Sequence, residues 1–389
     1  MKKKVQILFM ISIIFVGGFT AGTLFAKNSA NYESAKMVKT AEQSTKKPFQ
    51  KNFPELSEAP SKVLIGYVQD YRDPDAIDYS KLTHVIFSFV HPEKDGSLSF
   101  NGEAASSNLR RMVSNAQKHD AKAFLAVGGW FHINGGESYE YFKSAIESLS
   151  SREKLVKELV SVAERENLDG IDVDFEHPRS KKDAQYLAAF INDLSNKLHA
   201  ANKELSVAVH SKIHSVTGTV TDFVVYDPSM FKQVDFVNIM AYDGQWDGGY
   251  NAANLSPFPF TKKIVNYWSY LFDAHSISRD KLVLGVPLYG QPENPAIKQV
   301  SYEAIINNRN PEYAVKDKIS MNGTTYYYNG EETMEKKTKL ALTNRFGGMM
   351  IWEVGLDAKG PYSLSGAIAQ ALDNAKTKPE KYYSVKSSD

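Results

Sequence analysis

Short apolar segments alternate with amphipathic segments along most of the chain. Eight apolar segments are rich in valine, isoleucine and aromatic residues and have the length of buried strands. Between or after them, apolar residues recur with a helical period, for example in 106–120, 151–167, 181–201 and 363–375. The predicted strands are 62–68, 83–90, 121–130, a fourth within 168–178, 204–211, 234–243, 281–290 and 346–355.

This alternation of strands and helices predicts a parallel sheet, and eight units in one stretch predict an α/β fold of the (β/α)8 TIM-barrel type. The structural alternative is an open, doubly wound sheet, which usually carries a glycine-rich phosphate loop after its first strand. Here the first strand continues into VQDYRDPDA, which has no such loop. The barrel is therefore the predicted fold.

The interval between the seventh and eighth predicted strands is longer than the others. It contains the strand-like sequence ISMNGTTYYYNGEETM. We predict a small α+β insertion at about 291–334, followed by a barrel helix near 335–343. Loops that follow barrel strands commonly carry function, so the insertion is expected to form one wall of a site.

The two ends of the chain differ from the barrel region. Three lysines precede a long apolar run, so 1–26 is predicted to be a signal peptide or an N-terminal membrane anchor. The polar segment 27–60 is predicted to be a flexible linker, 61–378 the barrel domain, and 379–389 a tail without an assigned role. The barrel is therefore expected to be extracytoplasmic, either secreted or tethered to the outer side of the membrane by an uncleaved N-terminus.

Composition and charge exclude several classes of function. The net charge is +1 without a long charged run, which argues against a nucleic-acid partner. The chain has no cysteine, so disulfides, thiolate metal sites and a cysteine nucleophile are excluded. An exported chain without cysteine favours a bacterial source. A serine-type hydrolytic triad lacks the nucleophile-elbow motif that would support it.

The fourth predicted strand contains the most informative pattern. Three carboxyl residues, Asp172, Asp174 and Glu176, alternate with Ile171, Val173 and Phe175. In a barrel this alternation directs the carboxyl groups into the lumen, with Glu176 nearest the C-terminal mouth. Neighbours on one face are roughly 6.6 Å apart. Three such anions repel one another, so at least one is expected to be protonated at neutral pH.

A protonated carboxyl beside an ionised one is what cleavage of a glycosidic bond requires. One alternative is the solvated face of an edge strand, but both flanks of this strand are apolar. A second alternative is a calcium or magnesium site. The three carboxyl groups would extend over roughly 13 Å, which is too far for one ion to bind all of them.

The segment DGIDVDFE resembles the DGxDxDxE signature of glycoside hydrolase family 18, the chitinases and their relatives. The segments AVGGW, MAYD, GVPLYG and MMIWEVGLD resemble motifs on the third, sixth, seventh and eighth strands of that family, in the same order. The insertion resembles a reduced form of the family's chitin-insertion domain. The resemblance extends from residue 61 to about 376.

The resemblance implies a substrate-assisted, retaining mechanism through an oxazolinium intermediate. Glu176 would be the general acid and then the base, Asp174 would orient the acetamido group, Asp172 would tune Asp174, and Tyr242 would donate to the acetamido oxygen. The expected substrate-binding residues are Trp352 as the apolar floor, with Met240, Asp243, Tyr67, Trp130, Phe89, Tyr289 and Trp246 around it. The implied partner is a polymer or oligosaccharide of β-1,4-linked N-acetylglucosamine, and we expect a monomer without cofactor or metal.

Two departures from the family pattern lie in the site. Ala126 replaces a serine that helps to hold the deepest aspartate, which leaves Tyr67 as the remaining expected donor to Asp172. His177 follows the acid where tyrosine is common, and strand alternation predicts that it points away from Glu176. Two functional alternatives remain open: the same chemistry on N-glycans or peptidoglycan, and a catalytically silent glycan-binding relative. The retained Glu176 argues against the silent relative.

Overall fold

The computed structural model describes residues 62–307 and 311–377. The predicted leader at 1–26, the linker at 27–60 and the tail at 379–389 lie outside the described residues. Among the described helices, none combines the length and apolar character that crossing a membrane requires.

Eight parallel strands close into a barrel, as the sequence predicted. Each strand pairs with its neighbour in the chain, and the last strand pairs with the first from Val63↔Gly348 to Gly66↔Ile351. The strands are β1 (Val63–Gln69), β2 (His84–Pro92), β3 (Lys122–Gly128), β4 (Gly170–Asp174), β5 (Glu204–His210), β6 (Phe236–Met240), β7 (Leu282–Pro287) and β8 (Gly348–Trp352).

Helices follow most of these strands and cover the outside of the barrel. They are α1 (Gly102–Gln117), α2 (Tyr139–Glu147), α3 (Leu149–Arg165), α4 (Lys181–Ala200), α5 (Phe258–Ala274), α7 (Glu331–Thr343) and α8 (Leu364–Thr377), whereas α6 (Tyr302–Asn307) belongs to the insertion between β7 and β8. The connections from β1 to β2 and from β5 to β6 have short 3-10 helices instead, including Pro228–Lys232.

Helix α4 illustrates why these segments are helical. The hydroxyl of Ser180 caps its first turn by accepting a hydrogen bond from the backbone N–H of Asp183 at 3.1 Å. Its buried residues Leu187, Phe190, Ile191 and Leu194 recur three or four positions apart and face the sheet. The helical period in the sequence therefore corresponds to one buried face.

The core has two layers, separated by the barrel wall. The larger layer lies between strands and helices and includes Ile171, Val173 and Phe175. A smaller cluster fills the lumen with Ile65, Tyr67, Ile86, Phe124, Ala126, Tyr242, Val283 and Met350. Because the apolar residues of β4 face the helices, Asp172 and Asp174 face the lumen.

The predicted α+β insertion between β7 and β8 contains a four-stranded antiparallel sheet. Its strands are Tyr289–Pro292, Val300–Ser301, Lys318–Met321 and Thr324–Tyr327. The last two form a hairpin around Asn322 and Gly323, which both have positive φ, as a tight two-residue turn requires. The boundaries differ slightly from prediction, because β7 ends at Pro287 and α7 begins at Glu331, one turn early.

Candidate active site

The three carboxyl residues of the fourth strand lie at the C-terminal end of the barrel. Asp172 and Asp174 belong to β4 and are buried in the lumen, at 0% and 3% exposure. Glu176 lies two residues beyond the end of β4, where its side chain is 16% exposed. The predicted strand alternation therefore extends to Asp174 but does not include Glu176.

Asp172 is held by three donors from three different strands. The Tyr67 hydroxyl donates to its Oδ2 at 2.8 Å, and the Ser206 hydroxyl and the Asn238 amide donate to its Oδ1, the amide at 3.2 Å. Asn238 also donates to the Tyr67 hydroxyl at 3.1 Å. These bonds hold the deepest carboxyl in one orientation.

Tyr67 therefore donates to Asp172 as expected, but Ser206 and Asn238 are further donors that the sequence analysis did not anticipate. Asp172 lies between Ala126 on β3 and Ser206 on β5 in the sheet register. The hydroxyl that β3 lacks is supplied from the opposite neighbouring strand. Ser206 and Asn238 were missed, although each is a polar residue with apolar neighbours on both sides in its strand, which is the signal that points to them.

The carboxyl groups influence one another's ionisation. Burial raises the pKa of Asp172 to about 6, although its three hydrogen bonds oppose the increase. Burial raises the pKa of Asp174 well above its usual range, and the charges of Glu176 and Asp172 add to this. Burial, followed by the charge of Asp243, raises the pKa of Glu176 to about 8. Glu176 is therefore protonated at neutral pH.

One carboxyl oxygen of Asp174, Oδ1, is buried and has no hydrogen-bond partner among the described residues. A buried carboxyl oxygen without a donor is costly for a folded protein. The site therefore presents an acceptor that is ready for an incoming N–H group.

Tyr242 and Asp243 follow β6 at the mouth of the barrel. Tyr242 is buried, and its hydroxyl lies 3.9 Å from the Sδ atom of Met350, a weak partner. Asp243 accepts hydrogen bonds from the Tyr289 hydroxyl at 2.5 Å and from the Gln245 amide at 3.0 Å. Tyr289 was predicted to contact the sugar. In the structure its hydroxyl donates a hydrogen bond that holds the Asp243 carboxyl group.

Three aromatic rings form an apolar surface in the site. The Trp352 ring, at the end of β8, lies 5.6 Å from the Tyr67 ring and is stacked on Phe89 at 5.8 Å. Met240, at the end of β6, packs against the same lumen cluster. The structure therefore brings these four predicted substrate-binding residues together.

The adjacent glycines of AVGGW explain how closely this surface packs. Both have positive φ. A Cβ at Gly128 would lie 2.1 Å from the Asp174 carbonyl oxygen, and one at Gly129 would lie 2.8 Å from the Phe89 ring. Only glycine permits β3 to approach β4 and the aromatic surface at these positions.

Residue Glu353 fixes the chain directly after Trp352. This carboxyl is buried and accepts hydrogen bonds from the Arg72 guanidinium, Nε at 2.9 Å, and from the backbone N–H of Gly355 at 2.9 Å. Arg72 lies in the connection that follows β1. The ion pair thus ties the loop after β8 to the loop after β1, a contact that the sequence did not reveal.

The two other tryptophans that were predicted to bind substrate lie at the rim. Trp130 is 40% exposed and Trp246 is 52% exposed. The Trp246 ring packs against Tyr250 at 4.9 Å, and the Trp130 ring lies 6.2 Å from His177. Both therefore present apolar area to solvent at the edge of the site.

The prediction that His177 points away from Glu176 is wrong. The His177 Nε2 lies 3.6 Å from the Glu176 Oε2. The strand pairing of β4 ends at Asp174, so strand alternation does not determine the directions of the Glu176 and His177 side chains.

Within 62–307 and 311–377, no group of three or more histidine, aspartate or glutamate side chains is arranged to hold a metal ion. The three carboxyl groups of the fourth-strand motif therefore do not form such a cluster.

Comparison with known proteins identifies the same region. The model of the family described as glycosyl hydrolases family 18 matches residues 63–357. Endochitinase 1 of Metarhizium robertsii is 23% identical over 367 residues, which cover 80% of this chain and 84% of that protein.

Solved structures give the same picture. The GH18 chitinase ChiB from the chitin utilization locus of Flavobacterium johnsoniae has a TM-score of 0.67 at 26% identity, covering 82% of this chain and 96% of that one. A variant class V chitinase from Nicotiana tobaccum, solved in complex with NAG4, has a TM-score of 0.63 at 19% identity, covering 80% and 99%.

Proposed function

Because the chain belongs to glycosyl hydrolases family 18, we propose that it is a retaining hydrolase of β-1,4-linked N-acetylglucosamine, with chitin or chitooligosaccharides as substrate. One observation carries the proposal. Glu176, whose pKa is raised by burial to about 8, lies at the mouth of the barrel beside a buried Asp174 whose Oδ1 has no donor among the described residues. This arrangement supplies a proton donor and an acceptor for the acetamido N–H.

In the first step, Glu176 gives its proton to the oxygen of the leaving sugar. The bond from that oxygen to the anomeric carbon breaks as the substrate's own acetamido oxygen attacks the same carbon, giving an oxazolinium ion. Asp174 accepts the acetamido N–H, and transfer of its proton to Asp172, the other member of the coupled pair, gives Asp174 the negative charge that stabilises the cation. Burial of Asp174 excludes water, which strengthens both interactions.

In the second step, the Glu176 carboxylate takes a proton from a water molecule that attacks the anomeric carbon. The oxazolinium ring opens, and the product keeps the β configuration. Asp172 and Asp174 titrate as a coupled pair, and the three donors to Asp172 favour its charged form over that of Asp174.

The surrounding residues position the sugar. The Tyr242 hydroxyl, whose partner among the described residues is the weakly accepting Met350 sulfur, donates to the acetamido oxygen. The rings of Trp352, Phe89 and Tyr67 form the floor beneath the cleaved sugar. Trp130 and Trp246 at the rim contact sugars further along the chain.

The relatives and the N-terminal sequence support the proposed sugar and the proposed location. The tobacco neighbour was solved with NAG4, an oligosaccharide of the proposed class. The apolar run after three N-terminal lysines supports action outside the cytoplasmic membrane.

The test compares the parent chain with Glu176→Gln on chitooligosaccharides, with products followed by mass. We expect the parent to cleave and the variant to bind without cleaving, because the amide cannot donate the proton. Glu204→Gln, at the opposite end of the barrel, is the matched control and should cleave like the parent. Binding without cleavage by the parent would favour a silent glycan-binding protein, and no binding at all would make chitin the wrong sugar.

A further inference from the structure

His177 lies next to Glu176 at the mouth of the barrel, and the proposed mechanism does not use it. Its Nε2 is 3.6 Å from the Glu176 Oε2. The two side chains are only 11% and 16% exposed, so little water screens the interaction. A polar atom at this distance influences which protonation state of the carboxyl is favoured.

Neighbouring rings hold the imidazole of His177 in place. The Trp130 ring lies on one side at 6.2 Å, and the His210 ring makes an edge contact at 5.0 Å with an interplanar angle of 76°. His210 is itself fixed, because its Nδ1 accepts a hydrogen bond from the backbone N–H of Lys212 at 2.9 Å. The orientation of His177 toward Glu176 is therefore built into the site.

The position of the proton on His177 follows from its surroundings. Burial lowers the pKa of His177 well below its usual range, and His210 and Arg179 add to this, so the ring is neutral. A neutral imidazole has one N–H and one bare nitrogen. The Nδ1 is buried without a hydrogen-bond partner among the described residues, whereas the Nε2 faces a carboxyl oxygen. The N–H is therefore best satisfied at Nε2.

We propose that His177 is a positioning residue for Glu176: its Nε2–H stabilises the carboxylate that forms once Glu176 has given its proton to the leaving sugar. The inference rests on the proposed function of Glu176. The same contact holds the carboxylate in place while it takes a proton from the attacking water. Removing the N–H should make Glu176 a weaker acid.

Other charged and titratable groups also act on this pair. Asp174 and Asp243 oppose ionisation of Glu176, and the hydroxyls of Tyr226 and Tyr242 face the same charge. Arg179 and His210 act on His177, while Lys212 and Asp247 act on His210. None of these groups changes in the variants below, so a shift between variants reports the imidazole.

The test measures the pH dependence of kcat/KM on chitooligosaccharides for the parent, His177→Phe and His177→Gln. Phenylalanine fills the ring's space without an N–H, whereas glutamine supplies an amide donor. A hydrogen bond to a charged group shifts a pKa by about one to two units. The 3.6 Å separation is longer than a hydrogen bond, so we expect a smaller shift of about half to one unit. The alkaline limb should therefore move to higher pH by that amount in His177→Phe, and by a smaller amount in His177→Gln.

His119→Phe is the matched control. This residue is stacked on Tyr79 at 6.1 Å, away from the carboxyl groups, and its replacement should leave both limbs in place. If His177→Phe does not fold, His177→Met replaces it as the variant without a donor. An unchanged alkaline limb, with kcat lowered equally in the phenylalanine and glutamine variants, would mean a merely structural role and would overturn the proposal.

A direct titration separates this inference from the proposed function. Carbon-13 NMR of protein labelled at glutamate carboxyl carbons reports the pKa of Glu176, with the signal assigned from Glu176→Gln. A higher pKa in His177→Phe than in the parent supports the inference even if the parent cleaves none of the glycans tested. An equal pKa in both proteins refutes it, whatever the activity.

Discussion

Replacing Ser206 by alanine should move the acid limb of the pH–rate profile to higher pH. The Ser206 hydroxyl is one of three donors to Asp172 in a fully buried lumen. A hydrogen bond to a charged group contributes about 1.5–3 kcal/mol, and one pKa unit corresponds to about 1.4 kcal/mol. Loss of this donor destabilises the carboxylate, so the pKa of the Asp172–Asp174 pair should rise by about one to two units.

The assay is kcat/KM on chitooligosaccharides as a function of pH. Ser269→Ala is the matched control: Ser269 is buried in α5, and its hydroxyl has no hydrogen-bond partner among the described residues. We expect its acid limb to coincide with that of the parent. An acid limb in Ser206→Ala that coincides with that of the parent would refute the assignment of Ser206 to Asp172.

A second-site change sharpens the same test. Ala126 is the neighbour of Asp172 on β3 in the sheet register. Ala126→Ser returns a hydroxyl to that side. In the double variant with Ser206→Ala, the acid limb should therefore return most of the way to its position in the parent. Failure of this rescue, with both proteins folded, would mean that the two strands do not supply equivalent donors.

Two further predictions concern stability. Glu176→Gln should unfold at a higher temperature than the parent at alkaline pH. Because the pKa of Glu176 is raised in the native state, the parent loses stability as pH rises from about 4.5 to about 8. The difference in free energy of unfolding between the two proteins should grow over this range to a few kcal/mol and be absent near pH 4. Equal melting temperatures at pH 9 would contradict the burial of the charge. Gly129→Ala should lower the free energy of unfolding by more than Gly135→Ala, because both have positive φ but only Gly129 has the Phe89 ring within 2.8 Å of the added Cβ. Denaturant unfolding of the two variants measures the free energy of unfolding. Equal losses of free energy in both would show that the Phe89 ring moves to accommodate the added methyl group.

The sequence predicted the features that depend on local periodicity. The alternation of Asp172 and Asp174 with Ile171 and Val173 determines which side chains face the lumen, because β4 pairs with β3 as far as Asp174 and with β5 as far as Val173. The strand-like character of the insertion was also predicted, whereas its hairpin turn at Asn322 and Gly323, which both have positive φ, was not.

The features that were missed depend on which strands are neighbours in the barrel. Ser206 lies far from Asp172 in the chain and contacts it only through the register of β4 with β5. His177 was placed wrongly because the strand pattern ends at Asp174, and periodicity does not mark that end. The Arg72–Glu353 ion pair similarly joins loops after β1 and β8 that meet only when the barrel closes.

The most direct test of the central claim compares the N-acetylglucosamine tetramer with the glucosamine tetramer, which lacks the acetamido group. We expect the parent chain to cleave the first, with β-anomeric products in the earliest proton NMR spectra, and to leave the second intact. Comparable cleavage of both tetramers, or α-anomeric products from the first, would contradict attack by the substrate's own acetamido oxygen.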